Sequence, residues 1–487
     1  MSARCAVRLT LAGAVSMLLA GWTPASASGV EDEPCPAGAI AVEPGDAIQQ
    51  AVDRAGEGAA FCLKNGIHRL QSVRPRPRQR FYGEGRTVLN GSRVLVHFER
   101  DGELWFAPDQ WQRGVRRGEC AKESPACNLP NAIFIDDRPL APVLAKAALG
   151  PGRFYFDQAA GRIYLADDPA GHKVEAAVDA FAFESREPDV LIKNMTIEKY
   201  ATIAQKGAVQ AQEAAGWIIE NCEIRLNSAA GIAAGSRTRI ESSDIHHNGQ
   251  IGVTGVGRDI LVQNNDIWDN NTRGFFTSWE AGGLKLAFSE HVVLRANRVH
   301  GNRGAGLWCD IECRDVLYEG NVVERNRGAG IFHEISYSAV IRDNVLRHNG
   351  LGKRGAFWRS NNILVAASQD VEVFGNTITV DPGSCGIILL DQGRRNKAGG
   401  TYKTRNNNIH NNVTTFEGTG CAGAVVDTAI DSENATIIQD GDNRFDANVY
   451  RFPSGDATFQ FAWGHAEFGW DEVRLVGVER HGKLILH

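Results

Sequence analysis

Methionine, positive charge and long apolar runs are all in short supply in this chain. Methionine occurs three times in 487 residues. Lysine and arginine (52) are outnumbered by aspartate and glutamate (58), for a net charge of -6, and no basic stripe stands out. That lacks the electrostatic footprint of a nucleic-acid binder, so no nucleic-acid partner is expected. Beyond residue 20 no stretch approaches the ~20 apolar residues that a membrane span needs. No cysteine or histidine spacing reads as a zinc site, and no DxD-type calcium loop stands out. Glycine, by contrast, is plentiful at 53 residues, and asparagine crowds the middle third. That composition suits a turn-rich β protein rather than a helical bundle.

Residues 1–27 read as a secretory signal. Arg4 and Arg8 give a positive start, Leu9 to Ala20 is apolar, and Ala25-Ser26-Ala27 supplies small residues for cleavage. No cysteine follows Leu18-Leu19-Ala20-Gly21, which excludes a lipoprotein. The expectation is a secreted or periplasmic protein starting near Ser28. Export permits disulfides. Cys35 with Cys62, Cys120 with Cys127 and Cys385 with Cys421 are the expected pairs. Cys309 and Cys313 are a fourth candidate, but four residues of flat strand separate Cα atoms by roughly 13 Å, so they join only if the strand turns between them. Cys222 is left over as a buried small apolar residue.

Residues 36–96 read as first coils with a cap. Asp46 can cap a short helix in which Ile48, Ala51, Val52 and Ala55 share a face. Residues 97–182 break the pattern as a β-rich insertion, with a hairpin at Arg153–Phe156 and Arg162–Leu165 around Ala159-Ala160-Gly161. This insertion could wall one side of a groove. Residues 183–440 carry a repeat. Apolar anchors fall at Ile197, Ile224, Ile245, Ile267, Val299, Val323, Leu346, Ile378 and Ile409, and turn asparagines at Asn248, Asn270, Asn302, Asn326 and Asn349. Steps of 21 to 24 residues, interspersed with steps of 27, 31 and 32, are a solenoid signature with insertions. Leucine-rich repeats share the period, but their leucine pattern and helical half are missing. Residues 441–487, rich in Phe, Tyr and Trp, read as a C-terminal cap, with an aromatic sugar-binding surface as the alternative.

The pattern resembles the right-handed parallel β-helix proteins of the pectin-lyase-like superfamily, over about residues 36–440. Trp279-Glu280-Ala281-Gly282-Gly283, Gly306-Leu307-Trp308 and Ile331 to Tyr337 also resemble a bacterial secreted subgroup with no assigned reaction. The resemblance implies an all-β solenoid. By analogy with the wider superfamily, it also implies a polysaccharide lyase, hydrolase or epimerase.

The chemistry is sought where coils stack. Gly304-Ala305-Gly306-Leu307-Trp308 and Gly328-Ala329-Gly330-Ile331-Phe332 are one motif on successive coils. Adjacent strands lie ~4.8 Å apart and side chains alternate in and out. Aligned on the glycines, one outward column holds Lys285, Trp308, Phe332 and Leu364. The next holds Ala287, Asp310, Glu334 and Ala366. Two stacked carboxylates raise one another's pKa and can supply an acid and a base together. Asp310 and Glu334 are therefore the first catalytic candidates, with Glu280, Lys285 and His333 behind them. Trp308 and Phe332 offer a stacking platform. Trp279, Glu312, Tyr337, Trp358 and Arg359 are further substrate-binding candidates. The bland readings are that the aromatics pack under a loop, that the acids cap a turn or pair with Lys285 or Arg303, and that His333 points into the core unless a bulge turns it out. The basic stretch Gln392 to Arg405 reads as a solvated loop, or one that meets an anionic polymer.

Three functions fit. A glycoside hydrolase would use the carboxylate pair on a polysaccharide or oligosaccharide. A lyase or uronate epimerase would use Lys285, His333, Tyr337 or Arg359, and could take Ca²⁺. A non-catalytic polysaccharide-binding scaffold is the third. For a hydrolase no cofactor or metal is expected. The chain is expected to act as a monomer.

Overall fold

The computed structural model describes residues 35–351, 360–397, 399–427, 436–455 and 458–487. The proposed signal, Trp358 and Arg359 fall outside the described residues. Most strands join three long sheets, two of 13 strands and one of 12, in which sequence neighbours go to different sheets and pair with the following coil. Each coil thus lays one strand on each of three faces, and nearly all pairs within these sheets are parallel. The core is the lumen of this parallel β-helix. On one face the register runs Ile197, Ile224, Ile245, Ile267, Val299, Val323, Leu346 and Ile378 without a slip. The next anchor is Thr414 and not Ile409. Ile409 pairs with Val373 on a different face, because the coil carrying the 392–405 insertion is longer than the average step suggests.

The asparagine corner is a hydrogen-bonded ladder. Each Nδ2 donates to the next Oδ1 from Asn227 through Asn248, Asn270, Asn302, Asn326 and Asn349 to Asn362, at 2.9–3.0 Å. Each Nδ2 along the corner also reaches a main-chain carbonyl of the preceding coil, as Asn302 does to Ile267 at 2.9 Å. A second ladder, not singled out from the sequence, runs from Asn265 through Asn297, Asn321, Asn344, Asn376 and Asn412 to Asn448. Each link adds about 1 kcal/mol net, and each buried group left unmet costs about 1–3 kcal/mol. The ladder also explains the twin glycine motif. A Cβ on Gly306 would meet the Gly330 carbonyl oxygen at 2.6 Å and Asn326 Nδ2 at 3.0 Å.

The first lumen layer is covered by a helix, Ile48–Arg54, that buries Ile48 and Val52. Asp46 does not cap it. Its carboxylate accepts from the Glu43 amide, and Gln71 Oε1 accepts from the Ile48 amide at 3.0 Å instead. The chain leaves the solenoid after Thr87–Asn90 and builds two small sheets, which include the expected antiparallel hairpin Arg153–Asp157 with Arg162–Leu165. A buried ion cluster ties this insertion to the solenoid. Lys199 Nζ meets the Asp137 and Glu175 carboxylates, and Glu175 also pairs with Arg69 at 2.7 Å. The three expected disulfides form. Cys222, Cys309 and Cys313 are free and buried, so the fourth pair is not made.

The coils do not stop near residue 440. Arg444–Asp446, Val449–Phe452, Phe459–Gly464 and Lys483–Leu486 continue the three sheets. Phe445, Tyr450, Phe452, Phe461 and Trp463 are buried, which overturns the aromatic sugar-binding surface. Their bulk fills the last lumen layers, and the short helix Trp470–Leu475 packs Val473 against them. Among the described residues no helix is long and apolar enough to cross a membrane.

Candidate active site

Four neighbouring strands position the site: Gly282–Ala287, Ala305–Asp310, Ile331–Glu334 and Asn361–Ala366. Their register places Lys285, Trp308, Phe332 and Leu364 in one outward column and Ala287, Asp310, Glu334 and Ala366 in the next. Alternation puts Leu307, Cys309, Ile331 and His333 in the lumen.

The two acids have different partners. Lys285 Nζ sits 2.7 Å from Asp310 Oδ2, with both side chains 7 % exposed. The same ammonium lies 3.8 Å from the centre of the Trp308 ring and donates to the Trp279 carbonyl at 3.1 Å. Asp310 Oδ1 is buried with no hydrogen-bond partner among the described residues. Glu334 contacts Arg394, which arrives from the 392–405 insertion. Burial and then the charge of Asp310 push the Glu334 carboxyl up to about 7, against the opposing pull of Arg394 and Lys285. The basic insertion is therefore not simply a solvated loop. It is folded back by an Arg395–Thr401 bridge and held by Tyr402, whose hydroxyl donates to Glu312 Oε1 at 2.6 Å.

Glu334, Trp308 and Phe332 open onto a cavity of about 830 Å³ that runs across the strands toward the asparagine corner. Leu364 and Leu390 continue its floor, and Arg303 and Arg327 lie at the corner end. Ala121, Glu123 and Ser124 of the insertion form a wall, as does Phe275. The Cys120–Cys127 disulfide and a bridge from Cys120 to Phe275 hold that wall on the solenoid. Asp310 and Lys285 lie behind the cavity and not on its surface.

Several sequence expectations are corrected here. His333 is in the lumen, with no bulge to turn it out. Nε2 lies 2.7 Å from the Tyr337 carbonyl oxygen and Nδ1 lies 3.3 Å from the Tyr318 hydroxyl. Burial lowers it to about 4, so it is neutral and sealed. Trp308 and Phe332 do not form an open platform. Their rings stack on each other at 5.1 Å along the solenoid axis, and Lys285 covers the other face of Trp308, so only ring edges meet the cavity. Glu280 ends a short helix, Thr277–Glu280, and is buried by hydrogen bonds from Thr254 and Gln205, both 2.7 Å. Trp279 packs with Cys120, Cys127 and Phe275 under the insertion. Glu312 and Tyr337 belong to a cluster beside the site: Arg314 lies 3.9 Å over the Tyr337 ring, and neither residue borders the cavity. Arg394 was missed as a partner of Glu334, since 60 residues separate them and only the loop's basic character hinted at a role.

Among the described residues, Glu290 with His291 and Asp315, and His348 with Asp381 and Glu417, bring three potential ligand atoms within 4.8 Å of one another. Neither group borders the cavity.

The sequence model described as right handed beta helix region matches residues 183–280 and 207–363. No curated protein matches. Among solved structures, XylC in complex with xylose is similar at 16 % identity with a TM-score of 0.66, over 90 % of this chain and 82 % of that one. The A-module of the mannuronan C-5 epimerase AlgE4 from Azotobacter vinelandii is similar at 14 % identity with a TM-score of 0.51, over 86 % and 93 %. The chain has a right-handed parallel β-helix fold.

Proposed function

We propose that the protein is a carbohydrate-active enzyme, a glycoside hydrolase in which Asp310 and Glu334 divide the chemistry. The observation that carries this reading is their placement on adjacent strands with opposite environments. Lys285 holds one oxygen of Asp310, and Oδ1 has no partner among the described residues. Glu334, pushed up to about 7, keeps its proton near neutral pH. A buried carboxyl raised in this way at the edge of a cavity suits a general acid. Glu334, which opens onto the cavity, protonates the leaving oxygen as the glycosidic C–O bond breaks, and water bonds to the anomeric carbon, its proton passing to the carboxylate that Glu334 has become. Asp310, behind the cavity, acts through its charge, which helps keep the proton on Glu334.

A lyase or epimerase needs a free base beside the substrate. Lys285 is ion-paired and His333 is sealed in the lumen, so neither favours that reading. Xylosides head the test panel, because XylC was solved with xylose. Aryl glycosides and neutral and uronate polysaccharides are incubated with the protein. Products are read by reducing ends, by the anomer formed first, and by ultraviolet absorbance of an unsaturated uronate. Reducing ends, lost in Glu334→Gln, are expected. Unsaturated products, or activity untouched in Asp310→Asn and Glu334→Gln, would overturn the reading.

A further inference from the structure

At the end of the cavity remote from Glu334, two arginines stand on successive coils. Arg303 and Arg327 occupy the same corner position. Their amides donate to Asn270 and Asn302 carbonyls at 3.0 and 2.9 Å, one coil apart. Both border the cavity and both side chains are exposed. Among the described residues neither makes an ion pair with a carboxylate. Arg303 Nη1 donates only to the Thr272 carbonyl, at 3.4 Å. Nearby arginines on these same coils behave differently: Arg298 pairs with Asp266 and Glu324, and Arg325 reaches Glu324. The backbone beneath the pair is fixed. The asparagine ladder runs through Asn302 and Asn326, and Asn271 Nδ2 clamps the Arg303 carbonyl at 2.9 Å.

We infer that Arg303 and Arg327 form a subsite for an oxyanion, a carboxylate or sulfate carried by an oligosaccharide several positions from the bond at Glu334. Two like charges on successive coils repel, and an anion between them removes that repulsion. A guanidinium fork can donate two N–H groups to a pair of oxygens on a carboxylate or a sulfate. Arg327 lies seven positions before Glu334, up to roughly 20 Å along the chain, which leaves room for an oligosaccharide. The inference rests on the cavity being the carbohydrate site proposed above.

The test uses the full-length protein and three matched probes: xylotetraose, the same oligosaccharide bearing a glucuronate branch, and an O-sulfated form. Binding is measured by calorimetry on Glu334→Gln, alone and with Arg303→Gln or Arg327→Gln. Cleavage is measured in parallel with Glu334 intact. The acidic probes are expected to bind about 10-fold tighter than the neutral one. Each arginine variant erases most of that difference, as does 0.5 M salt. Preference for one acidic probe over the other tells carboxylate from sulfate. Arginine-dependent binding without cleavage of any substrate keeps the subsite and sinks the hydrolase. Equal binding of acidic and neutral probes, no binding of any of them, or equal loss on all of them in the arginine variants overturns the subsite.

Discussion

Lys285 and Asp310 form a nearly buried ion pair, 2.7 Å from Nζ to Oδ2, with the Trp308 ring against the ammonium. Removing one partner of such a pair leaves a buried charge uncompensated, at a cost of about 3–5 kcal/mol. Lys285→Met should therefore lower the melting temperature and abolish activity. In Lys285→Met with Asp310→Asn, much of the stability should return and the activity should not. A double-mutant cycle by thermal or urea denaturation checks this. Additive losses would show that the pair is not coupled.

Glu334 sets the alkaline limit of catalysis if it is the acid. With a carboxyl near 7, the rate should fall as pH rises through about 7. Arg394→Ala removes a charge that pulls the carboxyl down, so that limb should move to higher pH. Rate profiles on an aryl glycoside for the two proteins settle it, and coincident limbs would separate Glu334 from the acid role.

The same carboxyl affects stability with a definite sign. Its folded value lies above the ~4.3 of a free glutamate, so the folded state holds more protons between about 4.3 and 7. Stability should thus fall as pH rises through that window, by about 3 kcal/mol at most. His333 works in the other direction. Lowered to about 4, it binds fewer protons when folded, so stability should fall as pH drops from about 6.5 to 4. Melting curves of Glu334→Gln and His333→Gln against the parent should show opposite slopes.

Asn302 accepts from the Asn270 amide and side chain and donates to Ile267 and Asn326. Asn302→Ala would remove these four buried hydrogen bonds, for a loss of about 2–4 kcal/mol. Hydrogen exchange should report this first at the Asn270 amide. Uniform acceleration along the chain, with no focus at that corner, would argue against a local ladder break.

Reading the sequence located the solenoid because a coil repeats its own chemistry. Ile197, Ile224 and Ile245 recur at the spacing the backbone imposes, and alternation then assigns Asp310 and Glu334 outward without further information. What depends on a chain crossing over the surface was out of reach. Arg394 meets Glu334 through a hairpin whose path no periodicity describes. Trp308 looked like an open platform because alternation gives the direction of a side chain but not the neighbour that covers its face. Ile409 was misassigned for a related reason, since counting residues fails once a coil carries an insertion. Asp46 matched a capping signal, yet Gln71 filled the role from a distant segment.

The asparagine ladder has a consequence for how the chain finds its register. Every link repeats the same donor and acceptor, so a coil stacked one step out of place would satisfy the corner equally well. Correct indexing must come from contacts that occur once. Cys385 and Cys421 are directly paired on adjacent coils, and Cys35–Cys62 marks the other end. The Lys199–Glu175 cluster and the helix over the first layer add two more unrepeated marks. In this architecture the uniform ladder supplies cohesion, and a handful of singular contacts supply the count.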